Sequence, residues 1–210
     1  MKKRNLMIIA ILISIITIEG IAYASTSWEP QPYPYMYSRT AWDARSADTS
    51  DMTTRGEGDC LIFHHTAWNF SSTSLSDCAE EIRDVQDYHM DDNGYADIGY
   101  HYVIDPSGRI WRGRSDNYEG AHTYSNNENI GIVVLGDFEG YWGVGANRLT
   151  DDSFDAMCSL SKWLAYRDSL DLPIAYNHSD FSSTVCPGRY MEYYVWDDLR
   201  GHLNTYMEES

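Results

Sequence analysis

Basic residues are scarce in this chain of 210 residues. Lys and Arg total 15 against 32 Asp and Glu, which gives a formal net charge of −17 at pH 7. Nucleic-acid binding and electrostatic docking on an anionic membrane both depend on basic surface, so neither is expected here. Tandem repeats and low-complexity segments are also lacking, which excludes solenoid and fibrous architectures.

Apolar residues, by contrast, are abundant. Hydrophobic residues make up 43% of the chain and aromatic residues 14%. This content is too high for intrinsic disorder and is sufficient for a packed core. At this length we expect one folded domain.

The first 24 residues have the pattern of a secretory signal peptide. A basic stretch at residues 1–4 precedes a mostly apolar run at 6–18, and Ala22 and Ala24 supply small side chains at a cleavage site. The apolar run is short for a bilayer span, which disfavours a membrane anchor. A lipid-modified cysteine is also lacking at the cleavage point. We therefore expect a secreted or periplasmic protein with no membrane association after cleavage.

Hydrophobic spacing predicts alternating strands and helices in the rest of the chain. Residues 25–37 contain three prolines and no regular period, which predicts an extended lead-in before a domain spanning 38–210. Ser74 and Thr150 are expected to cap two helices, the first with Leu75, Cys78, Ile82, Val85 and Tyr88 on its buried face. Strands are predicted at 60–64, 100–104, 109–112, 130–135 and 174–177, and a last helix at 190–207. The order predicts a single α/β domain, with a central mixed β-sheet flanked by helices.

Three candidate metal ligands lie at or after the ends of predicted strands. His64 ends the first buried strand, His178 follows the last one, and Cys186 comes eight residues later. Imidazole and thiolate are preferred zinc ligands, and a set of three leaves a fourth position open, as catalytic zinc sites do. We expect this site in a groove at one edge of the sheet. A buried histidine is more often a packing residue, so spacing alone leaves that alternative open.

Short motifs follow one another in a characteristic order between residues 38 and 188. They are SRTAWDAR (38–45), IFHHTA (62–67), YHM (88–90), DIGYH (97–101), GRIW (108–111), GAHT (120–123), NIGI (129–132), GDF (136–138), NHSD (177–180) and TVCPG (184–188). This series resembles the peptidoglycan recognition protein family, the zinc-dependent N-acetylmuramoyl-L-alanine amidases with a type 2 amidase domain. Asp43, Asn177 and Ser179 differ from the residues usual in that family.

The resemblance implies a secreted bacterial hydrolase that cleaves the amide between N-acetylmuramic acid and L-alanine in peptidoglycan. One Zn²⁺ per chain would be held by His64, His178 and Cys186. Tyr100 corresponds to the family's catalytic tyrosine, and we predict that it stabilises the tetrahedral oxyanion or the attacking water. Thr184 stands where relatives carry Thr or Lys near the metal. Relatives that only bind peptidoglycan typically lack the cysteine, so its presence favours an active enzyme.

The resemblance also implies substrate contacts along the groove. Gly94, Tyr95 and Arg114 occupy positions that accompany a preference for diaminopimelate stems, because arginine can bind the extra carboxylate bidentately. The alternative for Arg114 is an ion pair with a surface acid such as Asp116. The predicted substrate-binding residues are His65, Thr66, His89, Gly94, Tyr95, Arg114, His122, Tyr124 and Asn127.

Three cysteines remain if Cys186 holds a metal. The sequence does not decide between a Cys60–Cys78 disulfide, a Cys60–Cys158 disulfide, and buried free thiols at all three cysteines. Two other functions also stay open: a non-catalytic peptidoglycan-binding module that keeps zinc for stability, and a zinc hydrolase of another amide. We expect a monomer.

Overall fold

The computed structural model describes residues 30–140 and 147–209. The predicted signal peptide and the first five residues of the predicted lead-in lie outside this part of the chain. Within the described residues, no helix combines the length and hydropathy needed to cross a membrane.

A six-stranded mixed sheet forms the centre of the fold. In chain order its strands are β1 (Met36–Tyr37), β2 (Leu61–His65), β3 (Tyr102–Ile104), β4 (Ile110–Arg112), β5 (Ile130–Val134) and β6 (Ala175–Asn177). Their order across the sheet is β1-β4-β3-β5-β2-β6. β3 and β4 are antiparallel, as their short connection predicts, and the other neighbours are parallel. The predicted α/β domain with a mixed sheet is confirmed.

Helices cover both faces of this sheet. They are α1 (Leu75–Asp87), α2 (Asp151–Asp168), α3 (Arg189–Tyr193) and α4 (Arg200–Glu209), and a π-helical segment, Tyr194–Leu199, joins the last two. The predicted caps are confirmed, since Ser74 accepts a hydrogen bond from the Asp77 amide and Thr150 accepts one from the Ser153 amide.

The two faces of the sheet hold separate cores. α2 and the C-terminal helices pack on Phe63 and Ile132, whereas α1 packs on Trp111 and Val133. The buried face predicted for α1 is wrong at its two ends, since Leu75 and Tyr88 are exposed. The buried side chains of α1 run from Cys78 to Gln86, so the first turn of the helix and the residue that follows its last turn lie outside the core.

The lead-in adds an edge strand that the sequence pattern did not predict. Met36 and Tyr37 of β1 pair in parallel with β4. Tyr33, just before them, packs edge-on against Trp163 of α2 and accepts a hydrogen bond from Arg112. A two-residue strand is too short to show a period of two, so only tertiary contacts define it.

The strand that carries the first predicted ligand lies deep in the sheet. β2 and β5 are buried along their whole length, as strands covered on both faces should be. Their parallel register runs from Leu61 opposite Ile130 to His65 opposite Val134. The carboxyl end of β2, with its two histidines, therefore opens at one edge of the sheet.

Candidate metal centre and groove

Three side chains converge at the carboxyl edge of β2 and β6. His64 belongs to β2, His178 begins a single 3₁₀ turn after β6, and Cys186 lies in the following loop. One potential ligand atom from each lies within 4.8 Å of the other two. The Nδ1 atom of His64 is 3.7 Å from the Sγ atom of Cys186, and the two imidazole centroids are 4.6 Å apart.

The pairing of β2 with β6 explains this convergence. Phe63 is opposite Asn177 in a parallel register, so the next residue of each strand, His64 and His178, emerges at the same edge. The loop then folds back, because the Ser179 amide donates to the Cys186 carbonyl at 2.9 Å. The Cys186 amide in turn donates to Thr184 Oγ1 at 3.2 Å. These bonds fix the thiol beside the two rings.

The protonation of these groups suits a soft divalent cation. Burial lowers the pKa of His64 well below its usual value and also lowers that of His178, so both rings are neutral at pH 7. Burial raises the pKa of the Cys186 thiol to about 12, while the nearby His65 amide acts in the opposite direction. A cation at this point would favour the thiolate. Two neutral imidazoles and one thiol fit zinc with an open fourth position.

Tyr100 lies beside this centre. Its ring centroid is 5.1 Å from that of His64. Burial, together with the Cys186 sulfur, raises the pKa of the phenol above its usual value. The hydroxyl therefore stays protonated near neutral pH and can donate a hydrogen bond. Thr184 is half-buried and keeps its own hydroxyl hydrogen while accepting from Cys186.

Two further predicted histidines have fixed tautomers in this region. His65 Nδ1 accepts from the Phe138 amide at 3.2 Å, and His89 Nδ1 accepts from the Gly99 amide at 2.9 Å. Burial lowers both pKa values, that of His89 to about 4. Each neutral ring therefore carries its hydrogen on Nε2, which makes it a donor.

Other predicted contacts serve partly to hold loops. Thr66 Oγ1 accepts from the Gly136 amide at 2.9 Å, which ties the end of β2 to the segment after β5. Asn127 accepts from the amides of His122 and Thr123 and donates to the Thr123 carbonyl. Its amide group is thus engaged within the loop. Tyr124 in the same loop is 97% exposed.

His122, a predicted substrate contact, has both ring nitrogens engaged inside the protein. The ring is buried behind His64, with Nδ1 at 3.1 Å from His64 Nε2. Its Nε2 atom lies 3.2 Å from the Asn129 carbonyl oxygen. A contact between His122 and a substrate would therefore have to use other atoms of the residue.

Gly94, Tyr95 and Arg114 line one cavity of about 230 Å³. The buried guanidinium donates to three backbone carbonyls, those of Asp97, Ile98 and Glu119. Arg114 therefore does not form the alternative ion pair with Asp116. The Asp116 carboxylate accepts hydrogen bonds from Arg167 and Tyr102 instead. Three of the five N–H groups of Arg114 are used in this way, and two remain.

Two exposed aromatic residues beside the groove were not predicted. Trp68 and Tyr88 pack edge to face with centroids 5.8 Å apart, and Tyr88 lies 6.0 Å from the His89 ring. Tyr95 lies 5.3 Å from the same imidazole. Their closeness to the HHTA and YHM motifs is the available signal, but the helical period predicts a buried position for Tyr88.

A larger cavity, of about 1010 Å³, lies at the amino ends of β2 and β6. Its lining includes residues just before β2 and β6, and it is rich in acids such as Glu57 and Asp171. It contains none of the predicted site residues.

Comparison with known proteins adds three kinds of likeness. The N-acetylmuramoyl-L-alanine amidase family model matches residues 54–189, which include all three candidate ligands. Peptidoglycan-recognition protein SC2 of Drosophila simulans is 34% identical over 169 residues, covering 80% of this chain and 85% of the relative. A solved Drosophila PGRP-LB mutant in complex with tracheal cytotoxin is 28% identical with a TM-score of 0.67, over 77% of this chain and 94% of that one. The amidase LysC from Clostridium intestinale shares the fold, with a TM-score of 0.65 and 21% identity over 82% of this chain and 99% of that one.

Proposed function

The chain belongs to the N-acetylmuramoyl-L-alanine amidase family, and from this premise we propose that it is a zinc-dependent amidase acting on peptidoglycan. The bond cleaved is the amide between N-acetylmuramic acid and L-alanine. One observation carries the proposal: His64, His178 and Cys186 offer three ligand atoms within 4.8 Å of one another, beside the phenol of Tyr100.

Zinc bound there would lower the pKa of a water molecule and polarise the scissile carbonyl. The protein's own residues do the rest. His64 and His178 present neutral rings, and Cys186 presents sulfur. Tyr100 donates its hydroxyl hydrogen to the oxyanion that develops on the scissile carbonyl, and Thr184 offers a second donor. Because Tyr100 stays protonated near neutral pH, it can act as a donor throughout the working range.

The groove supports a peptide and sugar ligand. His65 and His89 can offer Nε2–H donors to a ligand's acceptors, because each Nδ1 accepts from a backbone amide. Tyr95, Trp68 and Tyr88 add flat, partly exposed rings. A bound peptide supplies acceptors along its backbone, and the apolar face of a sugar packs on aromatic rings. Tracheal cytotoxin bound to a related PGRP-LB supports a ligand of this class.

The stem peptide proposed is the diaminopimelate type. Arg114 lines the cavity beside Tyr95, and its two remaining N–H groups can bind the carboxylate that lysine stems lack. Three backbone carbonyls hold the guanidinium in place, so little side-chain freedom would be lost on binding.

Peptidoglycan binding without hydrolysis is the second candidate function, favoured by the relatives that are named recognition proteins. The two candidates differ in product. An amidase releases stem peptides that begin with L-alanine, whereas a binding module leaves the polymer intact.

One experiment separates them. The purified protein is analysed for zinc and then incubated with sacculi of the diaminopimelate and lysine types, and the soluble products are weighed by mass spectrometry. We expect about one zinc per chain and free diaminopimelate stems. Retained binding with no peptide release would favour the recognition function, and peptides cut at another bond would favour a different amide hydrolase.

The proposal includes export of a monomeric enzyme after removal of residues 1–24. N-terminal sequencing of the secreted protein tests the cleavage, and light scattering tests the monomer. A bacterial source stays a prediction, since the relative described above is an insect protein.

A further inference from the structure

His122 forms the middle of a buried row of polar atoms that ends at the candidate metal centre. The row begins at the Asn129 carbonyl oxygen, which lies 3.2 Å from His122 Nε2. It continues from His122 Nδ1 to His64 Nε2, at 3.1 Å. The other nitrogen of His64, Nδ1, points toward Cys186 Sγ.

The carbonyl determines the direction of every hydrogen bond in this row. A carbonyl oxygen only accepts, so His122 Nε2 must carry the hydrogen. A neutral imidazole has a single N–H, so His122 Nδ1 is an acceptor, and His64 must donate to it from Nε2. The one lone pair left on His64 is then on Nδ1, the atom that faces Cys186.

The surroundings hold the His122 ring in one orientation. A Cβ atom added at Gly120 would lie 2.2 Å from His122 Cδ2, and one added at Gly131 would lie 2.4 Å from the same atom. Because residues 120 and 131 are glycines, the backbone at both positions can pack directly against the edge of the His122 ring. The His122 amide is also bound, to Asn127 at 2.9 Å. The ring cannot turn over without moving this backbone.

We propose that His122 is a positioning residue for the metal ligand His64. It selects the His64 tautomer with a bare Nδ1 and fixes the plane of that ring, so that the lone pair is aimed before a cation arrives. This inference rests on the proposed zinc centre. Partners of this kind typically change metal affinity by about 10- to 100-fold when removed.

His101 provides a matched control. It is a buried histidine in the same row of rings, 5.7 Å from the His122 ring. It accepts from the Gly131 amide at 2.9 Å and donates to the Tyr118 carbonyl at 3.0 Å. Both of its nitrogens are bound to backbone atoms, so its loss removes a buried imidazole without removing the acceptor for His64.

Zinc affinity, measured by competition with a chelator at pH 7.5, tests the proposal on three variants. His122→Leu removes the acceptor and should weaken binding by about 10- to 100-fold. His122→Asn keeps an acceptor oxygen close to the Nδ1 position and should recover most of the affinity. His101→Leu should stay within about threefold of the wild type. Equal losses in His122→Leu and His101→Leu, or no rescue by His122→Asn, would overturn the proposal.

The tautomer can be measured without any metal. In ¹⁵N-histidine-labelled, metal-free protein, the nitrogen shifts should show His64 protonated on Nε2 in the wild type. A wild-type His64 protonated on Nδ1 would overturn the inference directly, even where His122→Leu fails to fold. A wild type that binds no zinc but shows the Nε2–H form would refute the proposed function and leave the tautomer assignment supported.

Discussion

His64 Nδ1 lies 3.7 Å from Cys186 Sγ although 122 residues separate the two in the chain. The contact joins the buried strand β2 to a loop near the C-terminal helices. A cation bound there would therefore connect parts of the chain that are distant in sequence, and it would stabilise the folded state that brings them together.

Replacing the sulfur should remove both metal and activity. In Cys186→Ser, a hydroxyl that does not ionise near neutral pH takes the place of the thiolate ligand. We expect loss of stoichiometric zinc by elemental analysis and no release of stem peptides. Cys158→Ser, in a buried site on α2, is the control and should keep both. Full activity in Cys186→Ser would show that the thiol is not a ligand.

Tyr100→Phe should separate catalysis from metal binding. The variant keeps the ring but loses the donor to the oxyanion, so kcat should fall about 10²- to 10³-fold while zinc content and KM change little. Steady-state kinetics on a muramyl peptide measures this. Tyr102→Phe, whose hydroxyl donates to Asp116 away from the centre, should keep kcat. A Tyr100→Phe variant as fast as the wild type would remove this tyrosine from the mechanism.

The metal-free protein should lose stability as the pH falls from about 6.5 toward 4. In the folded state burial lowers the pKa values of His89 and His101 to about 4, whereas both titrate near 6.5 when unfolded. Between these values the unfolded chain binds more protons, so each histidine lowers the free energy of unfolding by about 1.4 kcal/mol per pH unit. Urea unfolding at pH 7, 6 and 5 measures the slope. A flat profile, or NMR shifts showing either ring protonated at pH 6, would contradict the assignment.

Arg39→Met should destabilise the fold strongly. Its guanidinium makes two hydrogen bonds, of 2.8 and 3.0 Å, with the carboxylate of Asp97, which is only 1% exposed. Without that cation the buried charge is left uncompensated, which should cost about 2–4 kcal/mol in urea unfolding. Arg45→Met is the control, because Arg45 pairs with exposed carboxylates and should change stability little. Equal effects of the two substitutions would show that burial of Asp97 is not the cause.

Arg114→Lys should weaken the preference between stem types. A lysine ammonium cannot bind a carboxylate bidentately from the place of the guanidinium. The ratio of kcat/KM for diaminopimelate and lysine muramyl peptides should fall about tenfold. Because the lysine cannot keep all three carbonyl partners, thermal unfolding is used to check that the variant is still folded. An unchanged ratio in a folded variant would exclude Arg114 from stem recognition.

The buried strands and the helix caps could be predicted because their signals are local. The apolar runs of β2 and β5 and the hydroxyls of Ser74 and Thr150 are visible in the sequence itself. β1 could not be predicted because two residues carry no period, and the exposure of Leu75 and Tyr88 could not be predicted because periodicity does not show where a helix leaves the core.

The candidate metal centre also has parts that the sequence predicts and parts that it does not. The motifs and the strand ends indicated His64, His178 and Cys186, and the structure brings them together. The hydrogen bonds of His122 and Arg114 could not be inferred, since they depend on groups that folding brings together. A side chain's type suggests what it can bind, but its partners decide which atoms are left for a ligand.

All four cysteines are thiols in this structure, and three of them are buried. Assembly of the two cores therefore requires no oxidant, and a reducing bacterial cytosol should yield correctly folded recombinant protein. Cys186 is the most accessible of the four, so peroxide would act mainly there and would remove the proposed sulfur ligand.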